Sequence, residues 1–336
     1  MHSRIVFLTT GGTIGSHLTE NGLTPAHDAE SILDYLRDTN AECEFVHETL
    51  LNLDSSNIQP EHWQLIARRV YELLPSCDGI IITHGTDTLA YTACALSFML
   101  RGLKKSVVLT GSQLPISSPL SDAVVNLHTA VEAIRHNIVG VSVSFDRKLI
   151  AGTRAVKVST MGFNAFESLN TGYLARMYSD GLRVFDRPAD YSAGETALFD
   201  KLSTDVFILK LLPGTRPEIF TTLLDMGYRG LVIEAFGAGG LHYIDRDLLS
   251  ALRQVIKAGL SVVVCSQCLY ERCDLSIYEV GRRLLAEGVI SGRDMTTEAV
   301  SVKLMWALGQ TDNAEKVAAL FDMDIAGEVS SGEKTN

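Results

Sequence analysis

Glycine and hydroxyl residues follow four apolar, strand-like segments of this chain. The first run is Thr10-Gly11-Gly12-Thr13, and the second is His84-Gly85-Thr86-Asp87-Thr88. Two shorter runs, Asp54 to Asn57 and Gly111-Ser112-Gln113, follow two further strand-like segments. In an open parallel sheet, ligands bind at the carboxyl ends of the strands. We therefore expect these four loops to line one crevice if their strands are neighbours.

The residue types in these loops suit chemistry as well as turn formation. A threonine hydroxyl is a weak nucleophile and needs a partner that takes its proton. Asp87, next to Thr86, could orient such a base, while the glycines let a substrate approach the backbone. Glycine, aspartate, serine and threonine are also common turn residues, so any single loop is weak support for a site. Four such loops at strand ends together favour a functional site.

Composition limits the class of protein. The chain has 336 residues, a net charge of -11, 46% hydrophobic residues and 21% charged residues, as is typical of globular proteins. Nucleic acid is disfavoured as a partner because phosphate binding requires a basic surface. No apolar run approaches the roughly 20 residues that span a bilayer, and the N-terminal residues do not resemble a secretory signal. Six cysteines are then most simply reduced thiols, so we expect a cytoplasmic protein with no membrane partner.

Strand-like and helical patterns alternate along the chain, which is typical of βαβ units. This alternation predicts an α/β fold with a larger N-terminal domain, built on a mostly parallel doubly wound sheet, and a smaller C-terminal α/β domain. The polar stretch after Phe185 contains proline and glycine and is interpreted as a linker. We expect domains over 1–185 and 205–330, joined by a linker over 186–204. The predicted helices are 29–36, 60–74, 88–100, 122–134, 217–226 and 247–258, and the predicted strands are 4–9, 44–51, 79–83, 106–110, 139–145, 205–212, 230–235 and 260–265.

Two of these motifs resemble the signatures of a known family. Thr10-Gly11-Gly12-Thr13-Ile14-Gly15 and His84-Gly85-Thr86-Asp87-Thr88 are similar to the two signatures of the bacterial-type L-asparaginases. The likeness extends over essentially the whole chain and is greatest to cytoplasmic (type I) and archaeal members, as in Met161 to Ser168 and Gly292 to Ala299. It implies hydrolysis of L-asparagine to L-aspartate and ammonia through a threonine acyl-enzyme. It also implies a homodimer or homotetramer with a site shared between subunits, and neither a cofactor nor a metal.

The resemblance also implies roles for individual residues. By motif position, Thr13 is the first nucleophile, and Thr86, Asp87 and Lys157 form a second, threonine-centred triad. Lys157 takes part either as a neutral base, if burial dominates, or through its charge, if the ion pair with Asp87 dominates. The sequence leaves both possibilities open.

Further residues are expected to hold the substrate. Backbone amides around Gly12, Thr86 and Ser112 are candidate oxyanion donors. The segment Asp54-Ser55-Ser56 matches the one that holds the α-amino and α-carboxylate groups of the substrate in this family. The substrate-binding residues that we expect are Gly12, Asp54, Ser55, Ser56, Gly85 and Ser112.

The chain departs from the family pattern at two positions. Many asparaginases carry an activating tyrosine ten residues after the first threonine, where this chain has Leu23. We expect another group to assist Thr13. Some cytoplasmic relatives have an arginine of an allosteric asparagine site where this chain has Glu234. Because a carboxylate there would repel the substrate's carboxylate, we expect no activation by asparagine through that pocket.

Two alternative functions remain. The first is the amidase subunit of a tRNA-dependent amidotransferase, which has the same catalytic pattern but carries an extra N-terminal domain before the first signature. Only nine residues precede Thr10 here, and the net charge disfavours tRNA. The second is a non-catalytic protein of this fold that binds an amino acid or has a regulatory role, which Leu23 favours and the intact catalytic positions disfavour.

Overall fold

The structure, a computed structural model, describes residues 3–19, 22–25, 29–185 and 194–330, with side chains for all of these except 16–31. The chain divides into two compact units, Met1–Asp200 and Lys201–Asn336. Each unit combines a parallel sheet with helices. The predicted fold class, a larger N-terminal α/β domain with a mostly parallel sheet and a smaller C-terminal α/β domain, is confirmed.

The N-terminal unit begins with strand β1 and alternates strands with helices up to Phe145. Its helices are α1 (Ala29–Thr39), α2 (Pro60–Leu73), α3 (Leu89–Met99) and α4 (Ala123–Arg135). Its strands are β1 (Ser3–Gly11), β2 (Ser16–Thr19), β3 (Gly22–Pro25), β4 (Cys43–Leu53), β5 (Gly79–Thr83), β6 (Leu100–Arg101), β7 (Ser106–Thr110), β8 (Gly140–Phe145), β9 (Lys148–Ala151), β10 (Ala155–Lys157), β11 (Phe166–Ser168), β12 (Ala175–Tyr178), β13 (Gly181–Val184) and β14 (Ala197–Leu198).

The main sheet of this unit has eight strands in the order β13-β12-β9-β8-β7-β5-β1-β4. The five strands from β8 to β4 are parallel to one another, whereas β9, β12 and β13 are antiparallel additions. Separate two-stranded pairs are formed by β2 with β3, β10 with β11, and β6 with β14. The parallel half therefore holds β7, β5, β1 and β4, the strands that carry the four polar loops.

Apolar sequence explains why the central elements form. Every residue of β5 is buried, as expected of a strand covered on both faces of a parallel sheet. Helix α3 is apolar around its circumference, and ten of its eleven residues are buried. Helix α2 begins with Pro60 and Glu61, where a proline costs no hydrogen bond and an acidic residue interacts favourably with the helix dipole. These buried elements give the loops at the strand ends a rigid base.

The C-terminal unit has a four-stranded parallel sheet in the order β15-β16-β17-β18. Its strands are β15 (Val206–Lys210), β16 (Gly230–Ala235), β17 (Ser261–Ser266) and β18 (Ile290–Ser291). Its helices are α5 (Glu218–Asp225), α6 (Leu248–Lys257), α7 (Glu279–Ala286), α8 (Thr297–Gln310) and α9 (Ala314–Asp322). The core of this unit packs α5 and α6 against Leu231, Ile233 and Val262 of the sheet.

The structure adds elements that the sequence patterns did not predict. The antiparallel strands β9, β12 and β13 have four residues each, which is too short for a clear alternation of apolar and polar residues. Part of the expected linker, 186–193, lies outside the described residues, and Ala197–Leu198 forms β14, which pairs with β6. Among the helices of the described residues, none is both long enough and apolar enough to span a membrane.

Candidate active site

The four polar loops leave the same edge of the main sheet. Strands β7, β5, β1 and β4 are consecutive neighbours, and all three pairings between them are parallel. The loops that follow them, around Ser112, Thr86, Thr13 and Ser55, therefore start side by side. The condition on which we expected the four loops to line one crevice, that their strands are neighbours, is met.

Two glycines bring three of these loops into direct contact. Gly12 has a φ of 93°, and a Cβ atom on it would lie only 2.5 Å from the backbone nitrogen of Gly85. A Cβ atom on Gly85 would in turn lie 2.7 Å from Ser55 Oγ. The backbones are this close because neither glycine has a side chain. Thr13, which follows Gly12 and is half-buried, is thereby placed beside the second motif.

Hydrogen bonds from side chains tie the loops together. The Thr10 hydroxyl donates to the Thr83 carbonyl oxygen at 2.7 Å, joining the ends of β1 and β5. The buried Ser55 accepts from the Asp87 backbone N–H at Oγ (3.2 Å), and its carbonyl oxygen accepts from the Thr88 hydroxyl at 2.7 Å. Ser55 thus orders the second motif and faces it directly.

Lys157 contacts both functional side chains of the second motif. Its Nζ donates to Thr86 Oγ1 at 2.8 Å and to Asp87 Oδ1 at 2.6 Å. The Lys157 side chain is 18% exposed and the Asp87 side chain 63% exposed, so the pair lies at the mouth of the crevice. Lys157 is the last residue of β10, about 70 positions along the chain from Thr86. The structure therefore brings together three of the expected catalytic residues.

Gln113 contacts Thr86 as well, and the sequence patterns did not single it out. The Thr86 hydroxyl donates to Gln113 Oε1 at 3.5 Å, a long hydrogen bond. Gln113 Nε2 donates to the carbonyl oxygens of Thr160 and Gly162, at 3.1 and 3.0 Å. Two carbonyl partners on the nitrogen leave the amide oxygen facing Thr86. The sequence feature that could have pointed to Gln113 is its position directly after Ser112, in one of the four polar loops.

Asp54 and Ser56 form a small hydrogen-bonded turn at the end of β4. Asp54 Oδ1 accepts from the Ser56 hydroxyl at 2.6 Å and from the Ser56 backbone N–H at 2.8 Å. These bonds lower the pKa of Asp54, the hydroxyl contributing most. Both side chains are exposed, so an ionised carboxylate is presented to solvent where a substrate ammonium group could bind.

Ser112 and His84 are both buried and have partners within the site. The Ser112 hydroxyl donates to the Leu114 carbonyl oxygen at 2.5 Å, so its side chain already has a hydrogen-bond acceptor. His84 contacts the Gly85 carbonyl oxygen at 2.7 Å and Thr92 Oγ1 at 2.9 Å through its two ring nitrogens. Complete burial lowers the pKa of His84 to about 4, so the ring is neutral near pH 7. His84 is therefore a neutral hydrogen-bonding residue that joins the second motif to α3.

The two positions that depart from the family pattern lie in different units of the structure. Leu23 lies in β3, whose backbone pairs with β2, but its side chain is outside the described residues. Glu234 lies in β16 of the C-terminal unit, where Oε1 accepts from the Thr297 hydroxyl at 2.7 Å and Oε2 lies 4.0 Å from Lys210 Nζ. Across the part of the chain that the structure describes, no group of three or more histidine, cysteine, aspartate or glutamate side chains could hold a metal.

Two family models match this chain, one in each of its two units. The family model "Asparaginase, N-terminal" matches residues 4–190, and "Glutaminase/Asparaginase C-terminal domain" matches residues 205–321. The chain belongs to the asparaginase family. Within it, the chain is 43% identical to the L-asparaginase of Thermococcus kodakarensis over 330 residues, which cover 97% of this chain and 99% of the relative.

Two solved asparaginases and one component of an amidotransferase are also similar. The thermostable L-asparaginase from Thermococcus kodakarensis superposes with a TM-score of 0.92 at 42% identity, covering 98% of this chain and all of that one. L-asparaginase I from Vibrio cholerae gives 0.90 at 31% identity, with the same coverage. A Glutamyl-tRNA(Gln) amidotransferase subunit from Pyrococcus furiosus is 38% identical over 345 residues, covering 99% of this chain and 78% of that protein.

Proposed function

We propose that this protein is an L-asparaginase, an amidohydrolase that converts L-asparagine and water to L-aspartate and ammonia. The contact of Lys157 with both Thr86 and Asp87, beside the packed glycines that place Thr13, carries the proposal. The 43% identity to an L-asparaginase along nearly the full length of both chains gives independent support.

In the first half of the proposed reaction, Thr13 Oγ1 attacks the side-chain amide carbon of asparagine. A bond forms between that oxygen and the carbon, and the carbon–nitrogen bond breaks. The hydroxyl proton leaves with the nitrogen as ammonia, and the aspartyl group remains as an ester on Thr13. Backbone amides near Gly12, Thr86 and Ser112 stabilise the negative oxygen of the intermediate, and one such donor typically contributes about 3 kcal/mol.

In the second half, water hydrolyses the ester and Thr86 positions or activates that water. The attack breaks the ester bond, returns a proton to Thr13 and releases aspartate. Lys157 donates to an oxygen of Asp87 at 2.6 Å and to Thr86 at 2.8 Å, an arrangement that suits a cation. We infer that Lys157 acts through its charge, stabilising negative charge on Thr86, and that Asp87 holds the ammonium group in place.

Substrate recognition in this proposal follows the charges of asparagine. The ionised Asp54, oriented by Ser56, pairs with the α-ammonium group, and the Ser55 hydroxyl donates to the α-carboxylate. Gly12 and Gly85 leave the space in which the side-chain amide lies against the backbone. The lowered pKa of Asp54 supports its part, because the carboxylate stays charged at mildly acidic pH.

We also propose that the protein is cytoplasmic and forms a homodimer or homotetramer. All six cysteines are free thiols, which fits a reducing compartment. In an oligomer of this family type, the site is completed by a neighbouring subunit, so activity should depend on assembly. Sedimentation of the purified protein across a dilution series, with activity measured on the same samples, tests this expectation.

Ammonia release from asparagine and from glutamine, by the wild-type protein beside Thr13→Ala, tests the central proposal. We expect turnover of asparagine by the wild type and none above background by the variant. A folded wild-type protein that releases ammonia from neither amide would instead indicate a non-catalytic amino-acid-binding protein.

The similarity to amidotransferase subunits gives a second candidate, an amidase that supplies ammonia for transfer to a tRNA-bound amino acid. The same four catalytic positions would serve both reactions. The higher identity to the L-asparaginase and the net charge of -11 favour free asparagine as substrate. Amidase activity that is absent from the isolated protein and appears with a partner subunit and charged tRNA would favour the second candidate.

A further inference from the structure

A lysine, a glutamate and a tyrosine of the N-terminal unit form a charged cluster next to the β10–β11 pair. Lys148 Nζ donates to Glu167 Oε1 at 2.8 Å, and the Tyr173 hydroxyl donates to the other carboxylate oxygen, Oε2. Lys148 Nζ also lies 3.4 Å from Asp146 Oδ2 and 5.4 Å from the centre of the Tyr173 ring. Both oxygens of Glu167 are therefore held, from two different segments of the chain.

This cluster is buried enough for its charges to depend on each other. The Lys148 side chain is only 7% exposed and that of Glu167 is 26% exposed. Burial acts to lower the pKa of Lys148, but the bond to Glu167 and the nearby negative charges outweigh it and raise the pKa. Burial likewise acts to raise the pKa of Glu167, and the bonds from Lys148 and Tyr173 lower it overall. Loss of Lys148 would leave the Glu167 carboxylate without its cation, and loss of Glu167 would leave Lys148 with only the more distant Asp146 carboxylate.

The position of Glu167 connects this cluster to Lys157. Strand β11, which contains Glu167, pairs with β10, with Lys157 opposite Phe166 and Val156 opposite Glu167. Phe166 is fully buried, and its ring lies 5.0 Å from that of Phe145. Adjacent residues of β11 are thus anchored by aromatic packing and by the charged cluster. The segment between the two strands is largely exposed, so β11 is the firm support beside Lys157.

We propose that Lys148, Glu167 and Tyr173 are positioning residues, which hold β11 so that β10 presents Lys157 Nζ to Thr86 and Asp87. The inference rests on the role that the proposed function gives to Lys157. Lys157 Nζ lies 2.6 Å from Asp87 Oδ1 and 2.8 Å from Thr86 Oγ1, so a small displacement of the ammonium group would break these hydrogen bonds. A misplacement of a catalytic group by about 1 Å can reduce a rate about a hundredfold. A cluster one residue along the paired strand is close enough to cause such a shift.

The first test compares the kinetics of Glu167→Gln and Tyr173→Phe with those of the wild type. Glu167→Gln keeps the shape of the side chain but removes the nearer of the two carboxylates that face Lys148, and we expect kcat to fall at least about tenfold with KM changed less than about twofold. Tyr173→Phe keeps every charge and should fold even if the first variant does not, with kcat about threefold lower. In a Lys157→Met background, Glu167→Gln should cause no further loss, because its effect passes through Lys157.

Glu48→Gln provides a matched control. Glu48 forms a bidentate ion pair with Arg69 in the same unit, with both contacts at 2.7 Å and side chains about one-third exposed. The loss of this pair should lower the unfolding temperature without changing kcat. Folded Glu167→Gln and Tyr173→Phe enzymes with kcat values as close to the wild type as that of Glu48→Gln would overturn the proposal.

A second measurement does not depend on amidase activity. Acylation of lysine amines, followed by peptide mass spectrometry, reports how tightly Lys157 is held, with the exposed Lys210 as internal reference. We expect Lys157 labelling to rise several-fold in Glu167→Gln and to stay at the wild-type level in Glu48→Gln. Unchanged labelling would refute the positioning role even if the wild type hydrolysed neither amide, in which case the proposed function would fail separately.

Discussion

Replacing Lys157 by methionine removes its charge and keeps most of its length. Lys157 Nζ lies 2.8 Å from Thr86 Oγ1. At an effective dielectric constant of about 20, a full negative charge on that oxygen would be stabilised by about 6 kcal/mol. If about half a charge develops in the transition state, the loss is about 3 kcal/mol, or roughly a hundredfold in rate. The Asp87 carboxylate offsets little of this because it is largely exposed and screened by water.

The assay is ammonia release from asparagine under initial-rate conditions, with kcat and KM determined separately. We expect kcat of Lys157→Met to fall about a hundredfold and KM to stay within about threefold, because the charged ends of the substrate bind at Asp54 and its neighbours. Lys316→Met, at an exposed position of α9, is the matched control and should behave as the wild type.

The Lys157→Arg variant distinguishes a role of Lys157 as a positive charge from a role as a proton acceptor. An arginine side chain stays protonated in proteins and cannot serve as a base. If Lys157 acts through its charge, the arginine variant should be clearly more active than the methionine variant. A folded Lys157→Met enzyme that kept more than about a tenth of the wild-type kcat would refute the electrostatic reasoning itself.

Four further outcomes are expected. In urea titrations, Gly12→Ala should lower the free energy of unfolding by at least about 1 kcal/mol, and the variant should lose activity. Gly181 also has a positive φ, but a Cβ atom on it would have nothing within 4 Å, so Gly181→Ala should be destabilised by backbone strain and keep its activity. Between pH 6.5 and about 4 the unfolded chain protonates His84 while the folded chain does not, so the free energy of unfolding should fall by up to about 3 kcal/mol as pH decreases, and His84→Gln should flatten this slope in urea titrations. Leu23→Tyr should change turnover of asparagine by no more than about threefold if another group assists Thr13, and a gain of orders of magnitude would contradict this. Initial rates should follow a hyperbola in asparagine because Glu234 repels a carboxylate, and a Hill coefficient well above one would show that this reasoning is mistaken.

The parallel half of the fold was predictable because its signals are local. Strands β5 and β7 are continuous apolar runs with polar loops directly after them, and their observed bounds, Gly79–Thr83 and Ser106–Thr110, are the predicted ones. Parallel strands bring such loops to one edge whatever their order in the sheet. That Thr13, Ser55, Thr86 and Ser112 lie at one edge followed from that rule, whereas their closeness depends on the strand order β7-β5-β1-β4.

The remaining contacts depend on pairings that no local pattern encodes. Gln113 reaches Thr160 and Gly162 only because the loop after β10 folds back across the strand ends. Glu167 lies within the Met161 to Ser168 stretch that resembles the family, but its contacts depend on Lys148, which is 19 residues away, and on its register with β10. Short antiparallel strands such as β9 and β12 lack the length to show a period. A single sequence therefore reveals the residues that could react, but it reveals much less about the residues that hold them in place.

The two threonines are placed by different physical means, which bears on how this site can change. Thr13 depends on the close approach of Gly12 to Gly85, which a side chain at position 12 would prevent, and a side chain at position 85 would clash with Ser55. Thr86 depends on a charged side chain presented by a short strand pair, so a shift of that pair would change the contact by degrees and without a steric clash. The position of the first threonine is therefore all-or-none, whereas the electrostatic environment of the second is graded. Variation in turnover among folded variants should arise mainly around Lys157, and loss of the site mainly around the glycines.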